Sequence, residues 1–337
     1  MPVSGNRIRE TLREFNLSLR GVYVLTEAAT GPYALTAGLA ALAGAEGVFC
    51  LAEGGEHGTA RECFTQTARF ATELGVENSV VFLEREHLAQ SLPQSFPWIV
   101  TNLRGVRPID LEILSALPPG SVVASMCEQW EIRPQDIDLV GCRAMRVPVV
   151  TTNEDHPLLL TMSRVGLLAL KLLLESGAEV ADSRIVVVGS GRFPDSIANA
   201  LLPWVRDIRV VSEEQDLKGL SGSLGYFDAV VVADHEATLG HSSAWDGLML
   251  AANNLDVPAV NISGLPHEVA ERWNRVWPER KVPPRFMTQA LDGLGTLPVV
   301  RLHVAGLAAA YSLLLPRESS AEEPSRQTLI ETVLGSS

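Results

Sequence analysis

The chain has 337 residues, 46% hydrophobic and 20% charged, with a formal net charge of -13 at pH 7. That length allows two domains with full cores. The acidic balance, with Lys and Arg scattered, excludes a general affinity for nucleic acid or anionic membrane, because phosphate contacts need clustered cations. No stretch reaches the roughly 20 uninterrupted apolar residues of a membrane span, and the segment holding Arg7, Glu10, Arg13 and Glu14 lacks the apolar core of a signal peptide. Cys50, Cys63, Cys127 and Cys142 have no metal-type spacing, so reduced structural cysteines in a cytoplasmic protein are expected.

In chain order, residues 1–20 read as an amphipathic lead-in helix, 21–26 as a buried strand and 33–45 as an Ala/Leu-rich helix. A second strand follows at 47–52 and a helix at 59–74, with apolar spacing at Phe64, Ala68, Phe70 and Ala71. Short strands at 79–83, 98–101 and 121–125, a helix at 109–117, a short helix at 137–144 and a strand at 147–151 complete a first series. Strands alternating with helices imply parallel β-α-β units rather than a sandwich. A long apolar helix over 157–175 comes next, capped by Asn153 or Asp155 and ended at Ser176-Gly177. The alternation then restarts: strand 185–188, helix 194–205, strands 208–211 and 227–233, helix 243–253, strand 258–262. Residues 275–298 are Pro-rich and irregular, 304–314 reads as a helix, and 316–326 is polar.

The pattern predicts an α/β protein of two doubly wound parallel-sheet domains, one flavodoxin-like and one a Rossmann dinucleotide-binding domain, with a cleft between them. Residues 1–155, completed by 305–337, form the first, and 156–304 the second.

The second domain opens on Arg184-Ile-Val-Val-Val-Gly189-Ser-Gly191-Arg-Phe-Pro194. An apolar run entering two glycines and then a helical pattern suits a tight turn with close backbone approach. The amides of Arg192 and Phe193 would face a phosphate over the helix N-terminus. The third glycine of G-x-G-x-x-G is Pro194, which a first helical turn accepts. The strand ending at Val211 leads into Ser212-Glu213-Glu214. Glu213 there either binds the ribose hydroxyls, favouring NAD over NADP, or is an exposed loop glutamate. Asp234-His235-Glu236 follows the strand 227–233 on the ligand-facing end; contiguous spacing is poor for a metal, and a cofactor contact by Asp234 is the better reading. Thr30 and Tyr33 lie at the first strand-to-helix turn, to touch substrate or cap the helix. His57 and His87 read as surface residues.

Several segments together resemble the D-2-hydroxyacid dehydrogenase family. They are Arg133-Pro-Gln-Asp-Ile-Asp138, Cys142-Arg-Ala-Met-Arg-Val-Pro-Val-Val150, Asn153-Glu154 before the long helix, Gly189-Ser-Gly191-Arg192, and Val299-Val-Arg-Leu-His303-Val-Ala-Gly306. The last is similar to the family's strand and turn carrying its catalytic histidine. The resemblance implies two Rossmann-like domains, NAD, a homodimer, and a small hydroxy or oxo acid as substrate. It places His303 as acid/base for the substrate hydroxyl, a role suited to a group that exchanges protons near neutral pH. It also implies an acidic partner, for which Asp292, Glu268 and Glu271 are candidates, Asp292 first. The family's arginine for the substrate carboxylate is missing: its motif appears as Asn261-Ile-Ser263-Gly264, and serine cannot replace a planar guanidinium. Arg104, Arg107 and Arg285 are the alternatives, with Arg133 in a matched loop. A divergent relative that binds nucleotide without catalysis, or another enzyme on the same plan with a nucleotide-linked or aminated substrate, is the competing expectation.

Overall fold

A computed structural model describes residues 4–55, 58–239, 243–279, 282, 291–315 and 330–332. The chain divides into two compact units, Met1–Leu159 with Thr296–Ser337, and Leu160–Gly295.

In the first unit, strands β1 (Tyr23–Glu27), β2 (Gly47–Leu51), β3 (Val80–Phe82), β4 (Trp98–Thr101), β5 (Val122–Ala124) and β6 (Val149–Thr152) are parallel. The helices are α1 (Gly5–Glu14), α2 (Thr36–Leu42), α3 (Ala60–Leu74), α4 (Leu88–Ser91), α5 (Leu111–Ala116) and α6 (Leu139–Ala144). Across the sheet the order is β3-β2-β1-β4-β5-β6, so β2-β1-β4-β5-β6 keeps the flavodoxin sequence of neighbours and β3 extends the edge beyond it. Ile330–Thr332 adds an antiparallel strand beside β6.

Alternation along the strands builds both faces. Val24, Val48, Ile99 and Val122 point into one core with α1, α2 and α3, while Leu25, Phe49, Val100 and Val123 point into another against α4, α5 and α6. The helix ends follow local chemistry. In α3, Thr59 and Glu62 form a reciprocal capping box, and left-handed Gly75 closes the other end.

The second unit repeats the plan. After α7 (Thr161–Glu175) come β7 (Arg184–Val188), α8 (Arg192–Leu201), β8 (Asp207–Val211), α9 (Glu214–Ser223), β9 (Ala229–Ala233), α10 (Ser243–Leu255), β10 (Ala259–Ser263), α11 (His267–Ala270) and β11 (Val276–Trp277). All its strands are parallel, in the order β11-β10-β9-β7-β8. Ile185, Val187 and Val231 face α7 and α8; Val186, Val188 and Val230 face α9 and α10.

Four expectations change. The long helix begins at Thr161, not 157, and its N-cap position is Leu160 in the left-handed region, with no capping side chain. Asn153 instead accepts from the Asp155 amide, so its preference for bonding nearby backbone makes a turn ahead of the helix. Helix α9 lies where the pattern predicts none: its buried set is only Leu217 and Leu220, too sparse to show a 3.6-residue period. The last helix, α12 (Leu297–Leu314), starts seven residues before 304. It belongs to the first unit, so residues 296–304 leave the second domain to which the alternation pattern assigns them. By length and composition α12 could cross a membrane. Its residues Val299, Val300, Leu302, Val304, Ala305 and Leu307 are instead buried in the first unit's core.

Candidate functional site

In the second unit the chain runs from β7 outward to β8 and then returns to β9 on the other side of β7, so the topological switch lies between β7 and β9. Ligands of open α/β sheets bind at such a point, beyond the carboxyl ends of the strands. The glycine turn sits there. Gly189 has φ +150, and a Cβ on it would lie 2.4 Å from the Ala233 carbonyl carbon and 2.6 Å from the Asp234 nitrogen. Only glycine fits between the two strand ends. Gly191, at φ +81, is the N-cap residue of α8, and a Cβ there would meet open space. The helix therefore begins at Arg192, and the first-turn amides belong to Arg192 and Phe193, since Pro194 has none. The Phe193 side chain is buried in the core and Arg192 is exposed, so what Phe193 can offer a ligand is backbone.

The opposite wall is built by the loop after β9. Asp234 is buried, and its carboxylate accepts from the Thr238 hydroxyl at 2.8 Å, the Thr238 amide at 3.2 Å and the Leu239 amide at 2.9 Å. Both oxygens accept hydrogen bonds from the loop. Thr238 in turn lies 2.7 Å from the Ser190 hydroxyl, so the glycine turn and this loop are tied together. The next residue, His235, is buried with its ring 4.8 Å from that of Phe193 and its Nδ1 3.4 Å from the Ser263 hydroxyl. Ser263, standing where the resembled family has arginine, thus bonds a buried histidine. The pairing joins residues 28 positions apart, and no local pattern announces it. Glu213 is exposed at the N-cap position of α9, directly after β8.

In the first unit the corresponding switch lies between β1 and β4, where the chain goes out to β2 and β3 and returns. Glu27 ends β1, buried, on the face that also carries Leu25 and Leu51. The Gly105 amide donates to its Oε2 at 2.9 Å, and a Cβ on Gly105 would come within 2.8 Å of the Glu27 Cβ. Burial raises the Glu27 carboxyl to about 7, against the opposing pull of the Gly105 amide, Arg107 and Arg104. Sequence reasoning misses this residue, because one glutamate after an apolar strand carries no motif.

The two arginines of this loop differ. Arg107 donates to the Asn102 side chain at 2.9 Å and carbonyl at 3.0 Å and pairs with Asp136 at 3.1 Å. These bonds tie it to the loop after β4 and to Asp136. Arg104 is exposed, crosses Gly55 closely, and makes no hydrogen bond or ion pair among the described residues. Nearby on the chain, Thr30 heads a short 3-10 turn without capping it. It lines a groove of about 490 Å³ with Gly58, Arg61, Glu62, Thr65, Gln66 and Arg69.

His303 does not sit in a strand and turn. It lies inside α12, 2% exposed, with Nδ1 2.6 Å from the Thr36 hydroxyl and its ring 5.6 Å from that of Tyr33. Burial lowers it to about 4, and no carboxylate pairs with it among the described residues. The resemblance implies an acidic partner raising its pKa; the shift has the opposite sign, and the ring stays neutral at physiological pH. Asp292 opens a 3-10 turn of the second unit, half-buried, while Glu268 and Glu271 are exposed. Arg285 and His57 lie outside the described residues. His87 forms an exposed trio with Glu84 and Glu86 on a surface turn. The four cysteines are free thiols, and burial pushes Cys142 up to about 12.

No family model and no curated relative matches this chain. Among solved structures it is similar to one of the chains of dipicolinate synthase from Bacillus halodurans, at 11% identity and a TM-score of 0.52, over 89% of this chain and 100% of that one. The corresponding dipicolinate synthase chain from Bacillus subtilis aligns at 10% identity and a TM-score of 0.52, over 91% and 100%. NAD-dependent formate dehydrogenase from Staphylococcus aureus, in complex with NAD, aligns at 14% identity and 0.43, over 93% and 100%. The likeness to the two dipicolinate synthase chains supports the fold alone, two parallel-sheet α/β units in one chain.

Proposed function

We propose that the chain is an NAD-dependent oxidoreductase, with the dinucleotide held by the second unit and a small hydroxy or oxo acid as substrate. The observation that carries this is the Gly189–Gly191 turn. It occupies the switch point of a parallel sheet, it has no room for a Cβ at Gly189, and it leads directly into the first turn of α8. The pyrophosphate would lie over the Arg192 and Phe193 amides, with the Arg192 side chain adding charge. Glu213 would accept from the ribose hydroxyls and repel a 2′-phosphate, selecting NAD. The nicotinamide supplies hydride chemistry when bound. In the first unit Arg104, which makes no hydrogen bond or ion pair among the described residues, would be the arginine to grip a substrate carboxylate, since Arg107 is bonded to Asn102 and Asp136.

The competing reading is a dinucleotide-binding protein without turnover. It is favoured by the neutral, buried His303 and by Ser263 bonding His235 in place of an arginine. Titration of the full chain with NADH, followed by fluorescence, tests the shared premise. Saturable binding that Arg192→Glu weakens roughly tenfold or more supports it; absence of binding at millimolar NADH and NADPH overturns it. Turnover of a small 2-oxo acid by the NADH-bound protein then separates the two readings.

A further inference from the structure

We infer that Ser190 reads a bound nucleotide as a hydrogen-bond acceptor, accepting from a ribose hydroxyl, and not as a donor to phosphate. This rests on the reading of the glycine turn as the dinucleotide site and adds a specificity-determining side chain to it.

The direction of one hydrogen-bond chain carries this. The hydroxyls of Ser190 and Thr238 lie 2.7 Å apart, where either could donate to the other. Thr238 has already placed its proton, since its hydroxyl donates to Asp234 Oδ1 at 2.8 Å. An ionised carboxylate only accepts. Both oxygens of Asp234 are met by donors of the loop, Oδ1 also by the Thr238 amide at 3.2 Å and Oδ2 by the Leu239 amide at 2.9 Å. A hydroxyl carries one proton and two lone pairs, so Thr238 accepts from Ser190. The chain therefore runs one way, from Ser190 through Thr238 to Asp234. Ser190 makes no other side-chain hydrogen bond among the described residues, so its lone pairs are what it offers a ligand.

Place and exposure make those lone pairs useful. Ser190 stands between Gly189 and Gly191 beyond the end of β7, and Thr238 lies in the loop after β9, so the two flank the switch point of the sheet. Ser190 is half-buried and Thr238 exposed, so a ligand over the turn can reach them. The turn then presents two kinds of group. The Arg192 and Phe193 amides donate from the start of α8, and Ser190 accepts. A phosphate oxygen without a proton suits the amides, while the serine lone pairs repel it. The donors nearest the pyrophosphate of a dinucleotide are its ribose hydroxyls, and one of these is the group that Ser190 takes. Because the serine proton is drawn toward a chain ending on a carboxylate, its oxygen accepts more strongly than an isolated hydroxyl would.

The test is fluorescence titration of the full chain with NADH, together with phosphorus NMR of the bound NADH. It is run on the wild type, Ser190→Ala, Ser190→Thr, Thr238→Val and the double variant that combines Ser190→Ala with Thr238→Val. Ser190→Ala should lose roughly three- to tenfold in NADH affinity, the worth of one neutral hydrogen bond. Ser190→Thr, which restores the acceptor, should stay within about twofold of the wild type. The same loss should appear when Ser190→Ala is added to Thr238→Val, because the contact with the ligand outlasts the tie between the loops. The phosphorus resonances should keep their shifts in Ser190→Ala. Unchanged affinity in Ser190→Ala overturns the inference. So does a double variant that binds no more weakly than Thr238→Val, since Ser190 would then act only by tying the two loops. Phosphorus resonances that move in Ser190→Ala overturn it too, since the serine would then be donating to a phosphate. Each of these outcomes leaves the dinucleotide reading standing, whereas absence of NADH binding by the wild type overturns that reading and this inference together.

Discussion

The Thr36 hydroxyl lies 2.6 Å from Nδ1 of His303, and the same hydroxyl donates to the Tyr33 carbonyl at 2.9 Å. One hydroxyl proton cannot serve both, so with it directed at Tyr33 the histidine donates from Nδ1 and carries its lone pair on Nε2. The bond stitches α12 to the start of α2 inside the core. Thr36→Val should leave this donor unmet and cost about 1–3 kcal/mol in urea denaturation.

The same histidine makes stability acid-sensitive. Its folded pKa of about 4 lies below the ordinary value of 6.5, so the unfolded chain binds the extra proton between them. Stability is full above about pH 6.5 and is lost as pH falls toward 4. His303→Gln should flatten the urea midpoint over that window.

Glu27 works in the opposite sense. Its folded pKa, about 7, is raised from 4.5, so its favourable contribution is complete below pH 4.5 and is lost as pH rises through 7. Glu27→Gln should therefore be near neutral at pH 4.5 and stabilise the first unit at pH 8 by up to about 3 kcal/mol. Denaturation at the two pH values checks this, and an equal effect at both would refute the titration.

At the glycine turn, Gly189→Ala places a methyl 2.4 Å from backbone atoms of Ala233. Backbone cannot swing aside as a long side chain can, so roughly 2–4 kcal/mol should be lost. NADH affinity should fall with it.

Asp234→Asn keeps the shape but turns an amide toward one of the backbone donors that Asp234 now satisfies. About 1–3 kcal/mol of stability should go, and NADH binding should weaken because Thr238 no longer holds Ser190 in place. By contrast Glu213→Gln, on an exposed side chain, should leave stability alone and raise the NADPH-to-NADH affinity ratio, by roughly tenfold at low salt. Paired fluorescence titrations measure both.

Much of this molecule is legible one residue at a time. The apolar strands at 98–101 and 185–188 coincide with β4 and most of β7, because buried parallel strands are continuous apolar runs. Gly189 and Gly191 are legible as a turn because positive φ leaves glycine as the natural residue. Val299–Gly306 reads as strand and turn yet folds as helix, since a run buried on all sides has no period to tell one from the other. Ser263 can be seen as a missing arginine but not as the partner of His235, and Asp234 can be seen at a strand end but not as already satisfied by its own loop.

The sequence by itself determined the two α/β units and the place of the glycine turn, because hydrophobic period and backbone permissiveness are local properties. The state of each charged group was decided only by tertiary structure. Burial made His303 neutral and Glu27 protonatable, Asp136 and Asn102 occupied Arg107, and Arg104 met no counter-ion among the described residues. Desolvation and hydrogen bonding depend on what the rest of the chain brings to a side chain, and residues far apart in sequence supply it.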